Sequence, residues 1–285
     1  MKQTEKISLV IEGGGFKSVF SAGVLDAFMI NNFNPFDIYI GVSSGAMCLS
    51  YYIANQYKSY VSLSKEVCVN DKFLSYTNAL SEEGYMNLKY LTQYAVKNNP
   101  LDLVQISENT KDKQFYVVAT NVDNGKPVYL EPNKKNIYRC IRATSSLPFF
   151  TKGFCKIDGL NLIDGGWSDP IPAKSAVKFG SNKIIVIRPN PKDYKVDSVS
   201  YLGLIGGYWW RSNPKLSNRF FTEHDDYNQA VSFLNKNHKS IEICQICPDK
   251  SLNSSVIGTS VDDLIHDYHC GLEKGMDFLN SYLKD

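Results

Sequence analysis

The chain has 285 residues, 43% of them hydrophobic and 21% charged, with a formal net charge of +2. That composition excludes disorder, and the near balance of charge gives no electrostatic case for a nucleic-acid partner. Seven cysteines are too thinly spread for a disulfide framework and fit reduced thiols, no apolar run approaches the roughly 20 residues of a membrane span, and the length suits one large α/β domain.

The polar start, Met1 to Lys6, passes straight into the apolar run Ile7 to Ile11, which is too short for a signal peptide core. A cytoplasmic protein, peripheral to a membrane at most, is the expectation. Ile7 to Ile11 reads as a strand, followed by Glu12-Gly13-Gly14-Gly15 and by a helical period through Val19, Phe20, Gly23, Val24, Ala27 and Phe28. Glycines at a strand end let the backbone approach a ligand and turn its N–H groups on an anion, so Gly13, Gly14 and Gly15 form a candidate oxyanion hole. A nucleotide-phosphate loop fails on Gly15-Phe16-Lys17-Ser18, because Phe16 occupies the position before the lysine where that loop requires glycine. A plain tight turn is the bland alternative.

Ile38 to Val42 is a second strand, and Gly41-Val42-Ser43-Ser44-Gly45 leads from it into a helix over Ala46 to Tyr52. A sharp strand-to-helix turn strains its corner residue, pushes the Ser43 hydroxyl outward and sets it near unpaired helix N–H groups. Gly41 and Gly45 leave room for the bend. The order strand, helix, strand, helix predicts a parallel sheet with both turns on the edge where open α/β folds bind ligands.

Residues 55 to 112 are polar and hold helical pieces such as Leu88 to Val96; they read either as a cap-like helical insertion or as plain scaffold. Phe115 to Thr120 and Val128 to Leu130 flank Asp123-Asn124-Gly125, a hairpin signal that lacks the ligands of a calcium loop. Leu160 to Ile163 is a strand that delivers Asp164 to a turn at Gly165-Gly166, and Pro170 and Pro172 stop it from continuing. A helix over Ala173 to Phe179 and a strand over Lys183 to Ile187 follow. Residues 201 to 221 are the most aromatic stretch, suited either to packing on the sheet or to a membrane interface. Cys244-Gln245-Ile246-Cys247 lies in an alternating run and reads as buried strand cysteines, since no second pair or histidine sits at zinc spacing. Nothing divides the chain, so residues 1–285 read as a single domain.

Glu12-Gly13-Gly14-Gly15-Phe16-Lys17, Gly41 to Gly45, Ala119 to Val122, Ala143 to Phe149, Asp164-Gly165-Gly166 with Pro170, and Tyr268 to Gly271 together resemble the patatin-like phospholipases, the bacterial branch in particular. The likeness runs from about residue 7 to about residue 280. It implies a three-layer α/β/α fold with a mainly parallel central sheet. It also implies a Ser43–Asp164 dyad that releases fatty acid from phospholipid or lysophospholipid at a membrane surface or micelle, without metal or cofactor. Lys17 aligns with the family's basic residue and either meets a phosphate or ester oxygen of the substrate or is solvated. Ser18 departs from the glycine many relatives carry there, leaving the N–H groups of Gly13, Gly14 and Gly15 available.

A free aspartate, with a pKa of about 3.9, is a weak base for an alcohol, so burial has to raise it. A triad with one of His224, His238, His266 or His269 is the alternative, because all four follow Asp164 in the order used by α/β-hydrolases. Two other functions stay open: a catalytically idle lipid-binding or regulatory protein on the same fold, and a hydrolase of neutral lipids or other carboxylesters.

Overall fold

Ile7–Ile11 and Ile38–Val42 are buried along their whole length, as strands are only at the centre of a sheet covered on both faces. A computed structural model describes residues 5–75, 84–151 and 153–282, so Met1 to Thr4 and residues 76–83 of the 55–112 segment lie outside the described residues. The first half runs β1 (Ile7–Ile11), α1 (Val19–Ile30), β2 (Ile38–Val42), α2 (Ser44–Ile53), α3 (Ser59–Cys68), α4 (Leu88–Asn98), α5 (Leu103–Asn109), β3 (Gln114–Asn121), β4 (Pro127–Leu130) and α6 (Ile137–Thr144). The second runs β5 (Cys155–Ile157), β6 (Leu160–Asp164), α7 (Ala173–Lys178), β7 (Lys183–Ile187), α8 (Tyr201–Trp209), α9 (Pro214–Phe221), α10 (Glu223–Leu234), β8 (Glu242–Ile246) and α11 (Val261–Tyr282).

The strands form one mixed sheet in the order β5-β6-β3-β2-β1-β7-β8, with β4 on β3. β3, β2, β1, β7 and β8 are mutually parallel, while β4 and β6 run antiparallel to β3 and β5 antiparallel to β6. The sheet is therefore less uniformly parallel than its opening predicts. Tight turns account for two of the three antiparallel pairs: Gly125 (φ 64) between β3 and β4 and Gly159 (φ 82) between β5 and β6 reverse the chain within a few residues, and a reversal that short can only pair strands antiparallel.

Alternate residues face opposite layers. Leu9, Ile11 and Tyr39 pack under α1, α2 and α11, whereas Val10, Ile38 and Ile40 pack under α7 and α10. Helices thus cover both faces of a mixed α/β sheet. α11 lies directly on α1 because glycine removes the side chains between them: a Cβ on Gly271 would come 2.0 Å from Phe20 O, and one on Gly23 would come 2.1 Å from Tyr268 O. Asp26, buried on α1, accepts from Tyr268 Oη on α11 (2.7 Å) and from the Lys58 N–H just before α3 (3.2 Å), tying three helices together. Among the described residues no helix is long and apolar enough to cross a membrane.

Candidate active site

Ser43 sits between β2 and α2 with φ 53 and ψ −132, a backbone conformation that costs free energy for any residue with a Cβ. The surroundings hold it there. Its N–H donates to Thr144 Oγ1 (2.7 Å), which donates in turn to Val118 O, and its carbonyl accepts from the Ala46 N–H (3.0 Å). The spacing of the flanking glycines is a packing requirement: a Cβ on Gly41 would lie 2.5 Å from Ala46 Cα, and one on Gly45 would lie 2.5 Å from Glu12 O.

The glycine loop leaves β1 on the neighbouring strand and comes against the serine, so that a Cβ on Gly13 would lie 2.9 Å from Ser43 Cβ. Its three amides are not equivalent. Gly13 and Gly15 donate to no protein acceptor among the described residues, but the Gly14 N–H donates to Ser44 Oγ (3.1 Å), and Ser44 Oγ is also 2.7 Å from Ser18 Oγ. All three amides were expected to be available; a hydroxyl from the residue after the corner serine has taken one. Ser18 is the residue that anchors that hydroxyl.

Asp164 ends β6, which brings it beside Ala119 of β3 and across from the Ser43 corner. Its carboxyl is buried, and burial pushes its pKa up to about 6 against the opposing pull of the Ser43 hydroxyl and the Gly166 N–H. The Gly166 bond goes to Oδ1 (2.8 Å) and leaves Oδ2 buried with no hydrogen-bond partner among the described residues. The Ser43 hydroxyl is thus near enough to pull on the carboxyl but makes no aligned hydrogen bond to it, and catalytic bonds left open in an unliganded site tighten around substrate. Such a carboxylate can take a proton from a neighbouring alcohol.

Gly13, Gly14, Gly15, Ser43, Asp164 and Gly166 line one cavity of about 270 Å³. Its remaining wall is mostly apolar, with Phe16, Met47, Leu63 and Val67 of α3, Leu91 of α4 and Leu147. The 55–112 segment thus supplies part of the wall through α3 and α4. Lys17 turns away to Asn190 Oδ1 (3.2 Å) and is outside this lining. None of the four histidines lines the cavity; His224 meets Asp225, His238 Nε2 meets Phe233 O, and His266 meets Asp267. Cys244 and Cys247 are free thiols and only half-buried, because β8 is an edge strand and leaves one side of that turn open.

Several residues of this site escape sequence reasoning. Glu12, immediately before the glycines, is buried and paired with the fully buried Arg188 (3.1 Å), while Tyr227 Oη (2.9 Å) and Asn190 Nδ2 (3.0 Å) donate to its other oxygen. Burial pushes the Glu12 carboxyl up, and Arg188, Tyr227 and Asn190 oppose it. The network fixes the start of the loop. From the far end of the chain, the Val256 carbonyl accepts from the Phe16 N–H (3.4 Å), and Val256 and Tyr227 both line the cavity. Ser145 also lines it, with a buried Oγ that has no partner among the described residues. A charged residue flanking the glycines was the only available signal; its partners lie far away in the sequence.

Comparison with known proteins gives a match between residues 9–177 and the family model described as patatin-like phospholipase, and between residues 213–284 and a domain of unknown function (DUF6363). YjjU of Escherichia coli K12, an uncharacterized protein, is 32% identical over 278 residues, which cover 97% of this chain and 78% of that protein. Lysophospholipase NTE1 of Meyerozyma guilliermondii is 25% identical over 227 residues, covering 78% of this chain but 15% of its own length. Among solved structures, VipD from Legionella pneumophila aligns with a TM-score of 0.49 at 13% identity, over 98% of this chain and 67% of that one.

Proposed function

This chain belongs to the patatin-like phospholipase family, and we propose that within it the protein is a serine hydrolase of fatty-acyl esters, phospholipid or lysophospholipid among them. The observation that carries the reading is the shared cavity, in which a strained serine, a buried carboxyl with a raised pKa and two unengaged glycine amides line one end of an apolar chamber. Lysophospholipase relatives support an ester of a long-chain lipid over a small polar one.

In the proposed reaction Ser43 Oγ attacks the ester carbonyl while Asp164 Oδ2 takes the hydroxyl proton. The oxygen of the carbonyl gathers negative charge against the Gly13 and Gly15 N–H groups, and the Gly14 N–H joins them when Ser44 Oγ swings wholly onto Ser18. Each such donor typically lowers the barrier by about 3 kcal/mol. Collapse breaks the ester bond, and Asp164 returns the proton to the departing alcohol or lysolipid oxygen. Water then attacks the acyl-Ser43 ester, gives its proton to Asp164 and frees the fatty acid; the proton passes back to Ser43 Oγ. The apolar wall holds the acyl chain, each buried methylene contributing about 0.8 kcal/mol.

Treatment with a fluorophosphonate followed by peptide mass spectrometry tests the assignment. The adduct is expected on Ser43, and Ser43→Ala is expected to lower release of fatty acid from a lysophospholipid by about a thousandfold or more. An adduct on another serine, or full activity in Ser43→Ala, overturns it.

A further inference from the structure

α8 is built inside out. It contains no charged residue, and its inward face is glycine: Cβ atoms on Gly206 and Gly207 would come 2.5 Å from Phe220 Cδ1 and 2.3 Å from Phe221 Cζ, so α8 lies flat on α9. Its outward face carries Tyr201, Leu204, Tyr208 and Trp209, exposed by 77%, 43%, 67% and 72%. Positions 201, 204 and 208 follow one face of the helix. Water-facing helix surfaces ordinarily carry the charges and bury the rings; here the arrangement is reversed.

The aromatic face continues beyond α8. The Phe149 ring meets Trp209 (6.2 Å between centroids) and Trp210 (5.6 Å), and Phe149 is held at φ 74, which a bulky side chain rarely adopts. From there the chain leads to the cavity: Leu147, two residues before Phe149, lines it, Phe150 O accepts from the N–H of Met86 (2.7 Å), and Met86 lines it too.

We propose that this face docks the protein on a phospholipid bilayer and admits lipid to the cavity from the membrane side, a reading that rests on the hydrolase assignment. Tyrosine and tryptophan suit the headgroup level because each joins an apolar ring to a polar tip. The exposed cations Arg211, just past the end of α8, and Lys215, in the first turn of α9, meet lipid phosphates. Continuity with an apolar cavity favours lipid as the occupant over a protein partner.

The test is co-sedimentation of the full chain with mixed phosphatidylcholine and phosphatidylglycerol vesicles, alongside hydrolysis of vesicle lipid and of a water-soluble short-chain ester. Tyr208→Ser/Trp209→Ser and, separately, Tyr201→Ser/Leu204→Ser are expected to lower vesicle partition about tenfold or more, because binding scales with buried apolar area. Vesicle hydrolysis falls in step, and hydrolysis of the soluble ester is unchanged. Equal partition of wild type and both variants overturns the proposal. So does a dimer that the substitutions dissolve while vesicle binding stays. A chain that cleaves neither ester yet partitions through this face keeps the docking surface and loses the hydrolase assignment.

Discussion

Burial moves the Asp164 carboxyl from 3.8 to about 6, and that shift has opposite consequences for activity and for stability. As the proposed base it works only when ionised, so kcat/KM is expected to rise with pH along a single limb near 6; a limb near 4 would show an unperturbed carboxyl. For stability the folded carboxyl holds its proton more tightly than the unfolded one, so folding is favoured below about pH 4 and that contribution is lost as pH rises to about 6. Above it the ionised group costs about 3 kcal/mol, at 1.36 kcal/mol for each pKa unit. Asp164→Asn removes the titration. Urea unfolding at pH 4 and pH 7 is expected to show the variant gaining on wild type by about 2 kcal/mol between the two, somewhat less than the full difference because the unfolded carboxyl is already partly ionised at pH 4. Asp26, also pushed up to about 6 by burial, is common to both proteins and cancels. Glu12 behaves differently because its neighbour is a cation. Glu12→Gln leaves Arg188 fully buried and uncompensated, and a loss of about 3 to 5 kcal/mol in unfolding free energy is expected. A variant within 1 kcal/mol of wild type would show, on that scale, that the pair does not hold the loop.

At the scale of elements, contact with two layers at once makes a strand readable. β1, β2 and β7 are nearly unbroken aliphatic runs because neither face meets water, and such runs are visible without knowing the partners. β5 is three residues with a lysine in the middle, and only its pairing with β6 makes it a strand. The contact of α11 with α1 was equally hidden, since Gly271 reads as a weak helix residue until Phe20 O is found 2.0 Å from where its Cβ would be. That distance decides the sign of a substitution. In an exposed helix Gly→Ala stabilises by about 1 kcal/mol. Gly271→Ala is expected to destabilise by about 1 to 3 kcal/mol, because the two helices must part, and a shift of the urea midpoint to lower concentration measures it.

Over the whole molecule, the parts of the site legible in sequence are those a strand end supplies: Ser43 at β2, the glycines at β1 and Asp164 at β6, each in a local pattern of its own. The parts that were illegible come from across the chain. Tyr227 reaches Glu12 across a sequence separation of 215, and Val256 closes on the loop through a carbonyl, for which any residue type would serve. Both lie in the region beyond residue 213, outside the part that matches the phospholipase family. That region also contributes edge strand β8 and the helix that covers α1, and we propose that it folds with the rest as a single unit. A chain ending at residue 212 would expose Phe20, Val24 and Phe28 on α1 and leave Glu12 and Arg188 without Tyr227. Those three side chains returned to water, at about 1.5 to 3 kcal/mol each, cost roughly 5 to 9 kcal/mol together, comparable to the 5 to 15 kcal/mol by which a domain is ordinarily stable, and loss of the edge strand and of the Glu12 network adds to that. The truncated chain is expected to show no cooperative urea transition and no fluorophosphonate adduct on Ser43. A cooperative transition with normal labelling would show instead that the first 212 residues form a complete hydrolase and that the remainder serves another purpose.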